Sequence, residues 1–259
     1  MKIKTCLRYP GGKFYGLKKI KPFLQITHNE YREPFVGGAS IFLGKELAEK
    51  INWINDKDKE LTTFYKQIQN PVSRKKLIKM LSTEIASKER HKEILALKPK
   101  NELEIAFKYF YLNRTSFSGI MNKPRWGYLI GSSVTPDHWG ERIEPVGKFL
   151  KNVNITNLDF REVVQYKSNN KVLMYLDPPY YQAAKSIYKN EFAHKDHVDL
   201  ANLLKKTKYK FILSYEDCAG VRNLYKWANI QEIDFKYFMS EGRRDVGREL
   251  IITNFDLKR

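Results

Sequence analysis

Leu173-Met174-Tyr175-Leu176-Asp177-Pro178-Pro179-Tyr180-Tyr181 carries the strongest pattern in the chain. An apolar strand runs straight into Asp-Pro-Pro-Tyr. The two prolines end the ladder, because neither has a backbone N–H to donate. They also stiffen the chain and leave carbonyl oxygens free. One carboxylate, one rigid carbonyl acceptor and one aromatic face therefore stand at the carboxyl end of a strand, where open α/β sheets place their ligands. A Pro-rich turn closing a strand is the plainer alternative. An acid, two prolines and two tyrosines in this setting make a more specific combination.

Outward from Val172–Leu176, six further short apolar or β-branched segments are predicted as strands: Tyr31–Val36, Asn52–Asn55, Val153–Leu158, Lys210–Ser214, Ile230–Phe235 and Glu249–Asn254. Amphipathic helical patterns lie at Lys13–Gln25, Ile41–Lys50, Asp196–Lys206 and Ala219–Ala228. Strands alternating with helices predict an α/β fold, a mostly parallel seven-strand sheet with helices on both faces. From about Lys57 to Gly140 the rhythm breaks. Helical patterns at Glu60–Ile68, Ser73–Leu97 and Glu102–Thr115 are followed by a run rich in Gly and aromatics, Phe117 to Tyr128. The expected organisation is a domain of 1–57 and 141–259 that carries the chemistry, with 58–140 as a mostly helical insertion.

The chain has 259 residues, 42% hydrophobic and 29% charged, enough apolar content for a folded core. Lys plus Arg is 47 against 29 for Asp plus Glu, a net charge of +18. That surplus points to a polyanionic partner, most simply nucleic acid, whose condensed counterions each basic side chain can release. Cys6 and Cys218 are the only cysteines, which excludes a disulfide framework and a cysteine-rich zinc site. No signal-peptide pattern opens the chain, and no apolar run approaches the ~18 residues of a membrane span. A cytoplasmic protein is expected.

The Asp177 corner suits a particular chemistry. An exocyclic nucleobase amine is a poor nucleophile, because its lone pair is delocalised into the ring. A carboxylate and a carbonyl that accept both its hydrogens favour a tetrahedral nitrogen with the lone pair exposed. An aromatic ring beneath the base holds it by stacking, and a duplex base must be flipped out to arrive there. Asp177, the Pro178 carbonyl and Tyr180 supply these parts, with Pro179 completing the stiff turn.

Four weaker patterns accompany it. In Glu33-Pro34-Phe35-Val36-Gly37-Gly38-Ala39-Ser40, paired glycines after a strand let the backbone approach a nucleotide-like ligand. This is not the dinucleotide Gly-x-Gly-x-x-Gly fingerprint. In Asn55-Asp56, an acid at a strand end can hold ribose hydroxyls, cap the next helix, or both. In Arg8-Tyr9-Pro10-Gly11-Gly12-Lys13, a lysine near a helix start either grips a ligand carboxylate or lies on the surface. In Asp159-Phe160, an acceptor and a ring suit an adenine edge and face, or a helix cap and a core aromatic.

Taken in order, Tyr9-Pro10-Gly11-Gly12-Lys13, Glu33-Pro34-Phe35-Val36-Gly37-Gly38, Asn55-Asp56, Tyr111-Leu112-Asn113-Arg114, Asp159-Phe160 and Asp177-Pro178-Pro179-Tyr180 resemble the DNA adenine methylase family, alpha-class S-adenosylmethionine-dependent methyltransferases. The likeness covers nearly the whole chain. It implies a Rossmann-like methyltransferase sheet with an inserted DNA-recognition domain. It also implies N6-adenine methylation of short duplex sequences, S-adenosylmethionine as cofactor, double-stranded DNA as partner, and a cognate restriction endonuclease in a prokaryotic or phage setting. The implied cofactor residues are Tyr9, Lys13, Phe35, Gly37, Gly38, Asp56, Asp159, Phe160 and Asp177.

The insertion is implied to read DNA through Arg114, Phe117, Ser118, Ile120, Asn122, Lys123 and Arg125. Phe117 and Ile120 would act as wedges. Here the chain departs from relatives that read GATC. It has Asn122 where they carry an arginine, and Asn prefers adenine whereas Arg forks onto guanine. Arg243 and Arg244, in a polar run before the last strand, would hold phosphate without reading sequence. Tyr188 to Phe192 would close over the flipped base. His194 and His197 read as surface or capping residues, and no residue group has convincing metal-ligand spacing. The alternatives on the same scaffold are an N4-cytosine or RNA amine methyltransferase; outside it, a non-catalytic DNA-binding protein.

Overall fold

A computed structural model describes residues 3–13, 16–181, 192–238 and 244–256. Seven strands form one sheet: β1 (Glu30–Glu33), β2 (Ile51–Asn55), β3 (Asn154–Thr156), β4 (Val172–Leu176), β5 (Lys210–Glu216), β6 (Asn229–Phe238) and β7 (Arg244–Thr253). Their order is β3-β2-β1-β4-β5-β7-β6. The first five run parallel, and β7 lies antiparallel between β5 and β6. The chain reverses direction of build at β1/β4, the switch point where such sheets open a crevice at their carboxyl ends. This is the expected Rossmann-like methyltransferase sheet.

Period-two alternation sorts the strands onto two faces. On one face Tyr31, Ile54, Leu173, Tyr175, Ile212 and Ile251 join a core with the helix that precedes β1 and those between β2 and β3. On the other, Val172, Met174, Leu176, Phe211, Leu213, Leu250 and Ile252 pack against Val164, Leu200, Leu204 and Val221. The helices are α1 (Leu17–Leu24), α2 (Lys59–Gln69), α3 (Pro71–Ser82), α4 (Lys88–Ala96), α5 (Glu102–Thr115), α6 (Gly140–Phe149), α7 (Phe160–Gln165), α8 (His194–Lys206) and α9 (Ala219–Leu224). Phe64 and Tyr65 of α2, Tyr109 and Phe110 of α5, and Ile143 of α6 lie in the same core as the sheet residues.

Several local expectations are corrected. Ile41–Lys50 is not a helix: only Phe42–Gly44 makes a 3-10 turn. Positive φ at Gly37 (45°) and Ala39 (56°) coils the chain just before it. The Asn52 side chain then bonds both the N–H and the carbonyl of Ala48, each at 2.8 Å, which holds a loop. Ser73–Leu97 is two helices, α3 and α4, rather than one. The Ser82 and Thr83 hydroxyls bond back to the Lys79 and Met80 carbonyls at 2.9 and 3.0 Å, and Ser87 caps α4 through Arg90 N–H. The polar run Arg244–Arg248 does not precede the last strand but is the first half of β7, paired with β6. Helix α6 escaped the pattern because Pro145 sits inside it, and α7 because it spans only six residues.

Candidate active site

At the carboxyl end of β1, β2 and β4, the N-terminal segment and the glycine turn border a cleft whose space, counted out into open solvent, is about 1350 Å³. Tyr9, Lys13, Phe35, Gly37, Gly38, Asp56, Asp159, Phe160, Asp177, Pro179 and Tyr180 all line it. The structure thus gathers every expected cofactor residue around one cavity, with two of the four residues of the Asp-Pro-Pro-Tyr turn added. Pro178 is buried in the turn itself.

The glycine turn is shaped for close approach. Gly37 has φ 45°, and a Cβ there would meet the Tyr9 ring at 2.7 Å. Gly38 would meet the Tyr9 Cβ at 2.7 Å. Only bare backbone lets Tyr9 lie flat along this turn. Asp56 accepts the Gly37 N–H at 3.0 Å and the Asp58 N–H at 2.9 Å. Burial nevertheless pushes its carboxyl up to about 6. The cap of α2 is Asp58, not Asp56, since Asp58 accepts the Glu60 N–H at 2.9 Å. Asp56 is therefore a cleft residue with no helix to cap.

Asp159 does cap α7, in a capping box with Glu162. It also pairs with Arg161 at 3.1 Å, which holds its carboxyl below the usual range together with the Arg161 N–H. Phe160 is buried with Phe35 and Phe192 in a ring cluster, centroids 5.3 to 5.7 Å apart. The cleft wall beside α7 is thus aromatic with a charged rim.

The acidic corner is a dense polar network. Lys13 is buried and lies ahead of α1. Its Nζ sits 3.0 Å from Asp177 Oδ1 and 3.3 Å from Glu249 Oε1, and donates to the Tyr180 hydroxyl at 2.8 Å. The lysine grips carboxylates of this chain and is not a surface residue. The Tyr180 hydroxyl in turn donates to Glu249 Oε1. Asp177 keeps 21% of its side chain exposed to the cleft. Burial and the Glu249 charge push its carboxyl up to about 6, against the pull of Lys13. Behind it, Glu33 is fully buried beside Tyr31 and held well above the ordinary carboxylate range by desolvation. The Tyr175 hydroxyl is buried with no hydrogen-bond partner among the described residues.

The insertion meets this site directly. Asn113 at the end of α5 clamps Arg8: it accepts the Arg8 N–H at 2.9 Å and donates to its carbonyl at 2.7 Å. Gly119, at φ 71°, lies against the Arg8 carbonyl, where a Cβ would be only 2.4 Å away. Beyond it, Met121 and Asn122 reach the cleft. A single antiparallel bridge, Ser116 to Trp126, closes the segment. Phe117, Ser118, Lys123 and Arg125 are exposed, and Ile120 is half-buried. Half-buried Arg114 is pulled down to about 10 by burial and by the Arg8 and Arg142 charges, and no carboxylate among the described residues pairs with it.

Arg243 lies outside the described residues, as do Tyr188 to Glu191 and the side chain of Arg244. Phe192 is half-packed against the second core. His197 is buried, not on the surface, with Nδ1 bonded to the Tyr215 hydroxyl. His194 begins α8 and meets the Tyr181 hydroxyl at 2.9 Å. No group of three or more His, Cys, Asp or Glu among the described residues is arranged to hold a metal ion. No helix among them is long and apolar enough to cross a membrane. Sequence reasoning passed over Glu249, Ser214 and Tyr175. The readable signal was an acid at the head of the apolar run Leu250–Ile252, in period-two register with Ile251.

Comparison with known proteins supplies the family. The family model for the D12 class N6 adenine-specific DNA methyltransferases matches residues 9–239. The type II methyltransferase M.CviBI of Paramecium bursaria Chlorella virus NC1A is 25% identical over 261 residues, covering 99% of both chains. The type II methyltransferase M1.LlaDCHI of Lactococcus lactis subsp. cremoris is 28% identical over 280 aligned positions, covering 98% of this chain and 96% of the relative. The retron Ec67 DNA adenine methylase of Escherichia coli is 21% identical, covering 95% and 86%. The match takes in the glycine turn, the insertion and the Asp177 corner together, and the chain belongs to the D12 class of N6 adenine-specific DNA methyltransferases.

Proposed function

We propose that the cleft binds S-adenosylmethionine along the glycine turn and that Asp177 receives the N6 amine of an adenine flipped from duplex DNA. The carrying observation is that Asp177 stands, partly exposed, in the same cavity as Gly37, Gly38, Asp56 and Phe160. The residues fit the cofactor. Asp56 offers carboxylate oxygens to a ribose. The Phe35 and Phe160 rings flank a flat base. The buried Tyr175 hydroxyl, without a partner among the described residues, supplies a polar contact for the methionine end. When bound, the cofactor supplies a methyl group on a positively charged sulfur.

The chain's own contribution is position and electrostatics. Asp177 accepts one N–H of the amine and the Pro178 carbonyl the other. Tyr180 stacks against the base, and the developing positive charge on nitrogen falls beside a carboxylate. By fixing the amine at Asp177 and the cofactor along the glycine turn, these residues would remove much of the entropic barrier to transfer. The insertion, taken as 58–140, contacts the duplex. Phe117 and Ile120 fill the gap left by the flipped base, and Arg114, Lys123 and Arg125 hold phosphates. Asn122 reads a base other than the guanine an arginine there would select. The type II names of two relatives support a cognate restriction endonuclease as partner and an intracellular site of action.

The test is methyl transfer from labelled S-adenosylmethionine to unmethylated plasmid, followed by nucleoside mass spectrometry and sequencing that detects modified bases. N6-methyladenine at one short sequence is expected. N4-methylcytosine, or label only in RNA, overturns the proposal.

A further inference from the structure

Glu249 is a charge where strand chemistry asks for none. Its neighbours Leu250, Ile251 and Ile252 are buried hydrophobics, and it is itself fully buried. A carboxylate taken out of water is unfavourable unless closely paired. Here both oxygens are engaged. Oε2 accepts the buried Ser214 hydroxyl of β5 at 3.0 Å. Oε1 accepts the Tyr180 hydroxyl and faces Lys13 Nζ at 3.3 Å. Period-two register puts Glu249, Ser214, Tyr175 and Asp177 on one face at the rim of the sheet.

We propose that Glu249 is a positioning residue for methyl transfer: it anchors the Tyr180 ring by its hydroxyl and shares Lys13 with Asp177, so that Asp177 can accept the incoming amine. The inference rests on the proposed function. Without the second carboxylate, more of the Lys13 charge would fall on Asp177, and the amine would compete more strongly with a buried ammonium for the same oxygen. The groups facing Asp177 are Lys13 from the N-terminal segment, Glu249 of β7, Glu216 of β5, Tyr175 of β4 and Glu33 of β1. Lys13 is the cation in this set, so removing one acid changes how Lys13 divides between Asp177 and the rest.

Glu249→Gln keeps size and hydrogen-bonding atoms but not charge. Its kcat on duplex DNA is expected to fall about tenfold or more, the scale of one hydrogen bond to a charged group. The KM for S-adenosylmethionine should change little. The acid limb of the pH–rate profile should move below the position set by wild-type Asp177, because Lys13 then favours the ionised form. Glu249→Asp keeps the charge, so its acid limb should stay in place while kcat falls. A merely structural Glu249 would lower the melting temperature of both variants and leave both limbs alike.

Ser214→Ala, which loosens Glu249 without removing charge, provides a milder arm and is expected to cut kcat about threefold. Should Glu249→Gln fail to fold, wild-type kcat in Ser214→Ala overturns the inference. Wild-type protein is assayed beside them. If it makes no N6-methyladenine, the functional reading itself fails. If it does, and Glu249→Gln keeps both kcat and acid limb, only the inference about Glu249 is overturned.

Discussion

The Asp177 corner and the 116–133 segment are neighbours built on opposite principles. At the corner, four carboxylates and a lysine are packed into a sheet rim, and the acids are set by strands or by the turn that follows β4. Along the segment, one bridge and a few backbone bonds carry exposed side chains, with left-handed residues at Ser118, Gly119, Lys123 and Gly131. Chemistry that must work identically on every adenine gains from pre-set charges. Surfaces that fit one DNA sequence and not another gain from side chains left in solvent.

The sharpest break between the two lies at Asp177. Asp177→Ala is expected to lower kcat at least 10²–10³-fold, the scale of losing one preorganised electrostatic contact. DNA binding measured by gel shift should persist, as the proposed role of the 116–133 segment requires. Transfer near the wild-type rate would dissolve the contrast. Wild-type activity should rise with pH through about 6, where Asp177 ionises. Stability runs the other way. A carboxyl raised in the folded state stabilises it fully below the unfolded value, and that contribution is lost as pH rises through about 6. Asp177→Asn should therefore melt higher than wild type at pH 8, by up to about 3 kcal/mol, with the difference gone by about pH 4. Equal melting at both pH values would show that the corner holds no such stored cost.

A pair of glycines compares the joint between the regions with the outer tip of the segment. Gly119 and Gly131 both have positive φ, 71° and 81°. A Cβ at Gly119 would strike the Arg8 backbone, whereas at Gly131 nothing lies within 4 Å. Gly119→Ala should cost ~3 kcal/mol and weaken DNA binding. Gly131→Ala should cost ~1 kcal/mol, the conformational penalty alone. Chemical denaturation of the two variants reads the difference. Equal losses would mean that Gly119 does not seat the segment on the N-terminal motif.

The same contrast explains how much could be read beforehand. The corner was legible because Asp-Pro-Pro-Tyr after an apolar strand has few structural reasons to exist, and because parallel strands announce themselves by short apolar runs. Val172–Leu176 and Glu102–Thr115 were read to the residue. What failed did so locally. Asn52 folding onto Ala48, the Ser82-Thr83 back-bonds and Pro145 within α6 are all cases of one side chain overriding a periodic pattern. Lys13 was ambiguous because its partners, Asp177 and Glu249, lie far along the chain and meet it only through the sheet order. Glu249 was hidden inside a strand reading that looks at apolar neighbours.

Phe117 tests whether exposure in the segment has a purpose. It is 52% exposed, so removing it should leave melting within about 0.5 kcal/mol of wild type. If the ring fills the space of an extruded adenine, Phe117→Ala should lower kcat/KM on paired duplex about tenfold, and much less where the target adenine is mismatched and already loosened. Equal effects on both substrates would remove the wedge and leave Phe117 a surface aromatic.

The smallest effect belongs to the flanking charges. Lys123 and Arg125 are exposed, and no ion pair holds either among the described residues. A side chain that neutralises one phosphate adds about 0.9 to the slope of log binding constant against log salt. Each alanine substitution should then flatten the slope by about that amount and weaken binding alike on cognate and scrambled duplexes, with kcat at saturating DNA unchanged. A loss confined to the cognate sequence would instead make that residue a reader of bases and move the boundary of specificity outward from Asn122 toward the tip.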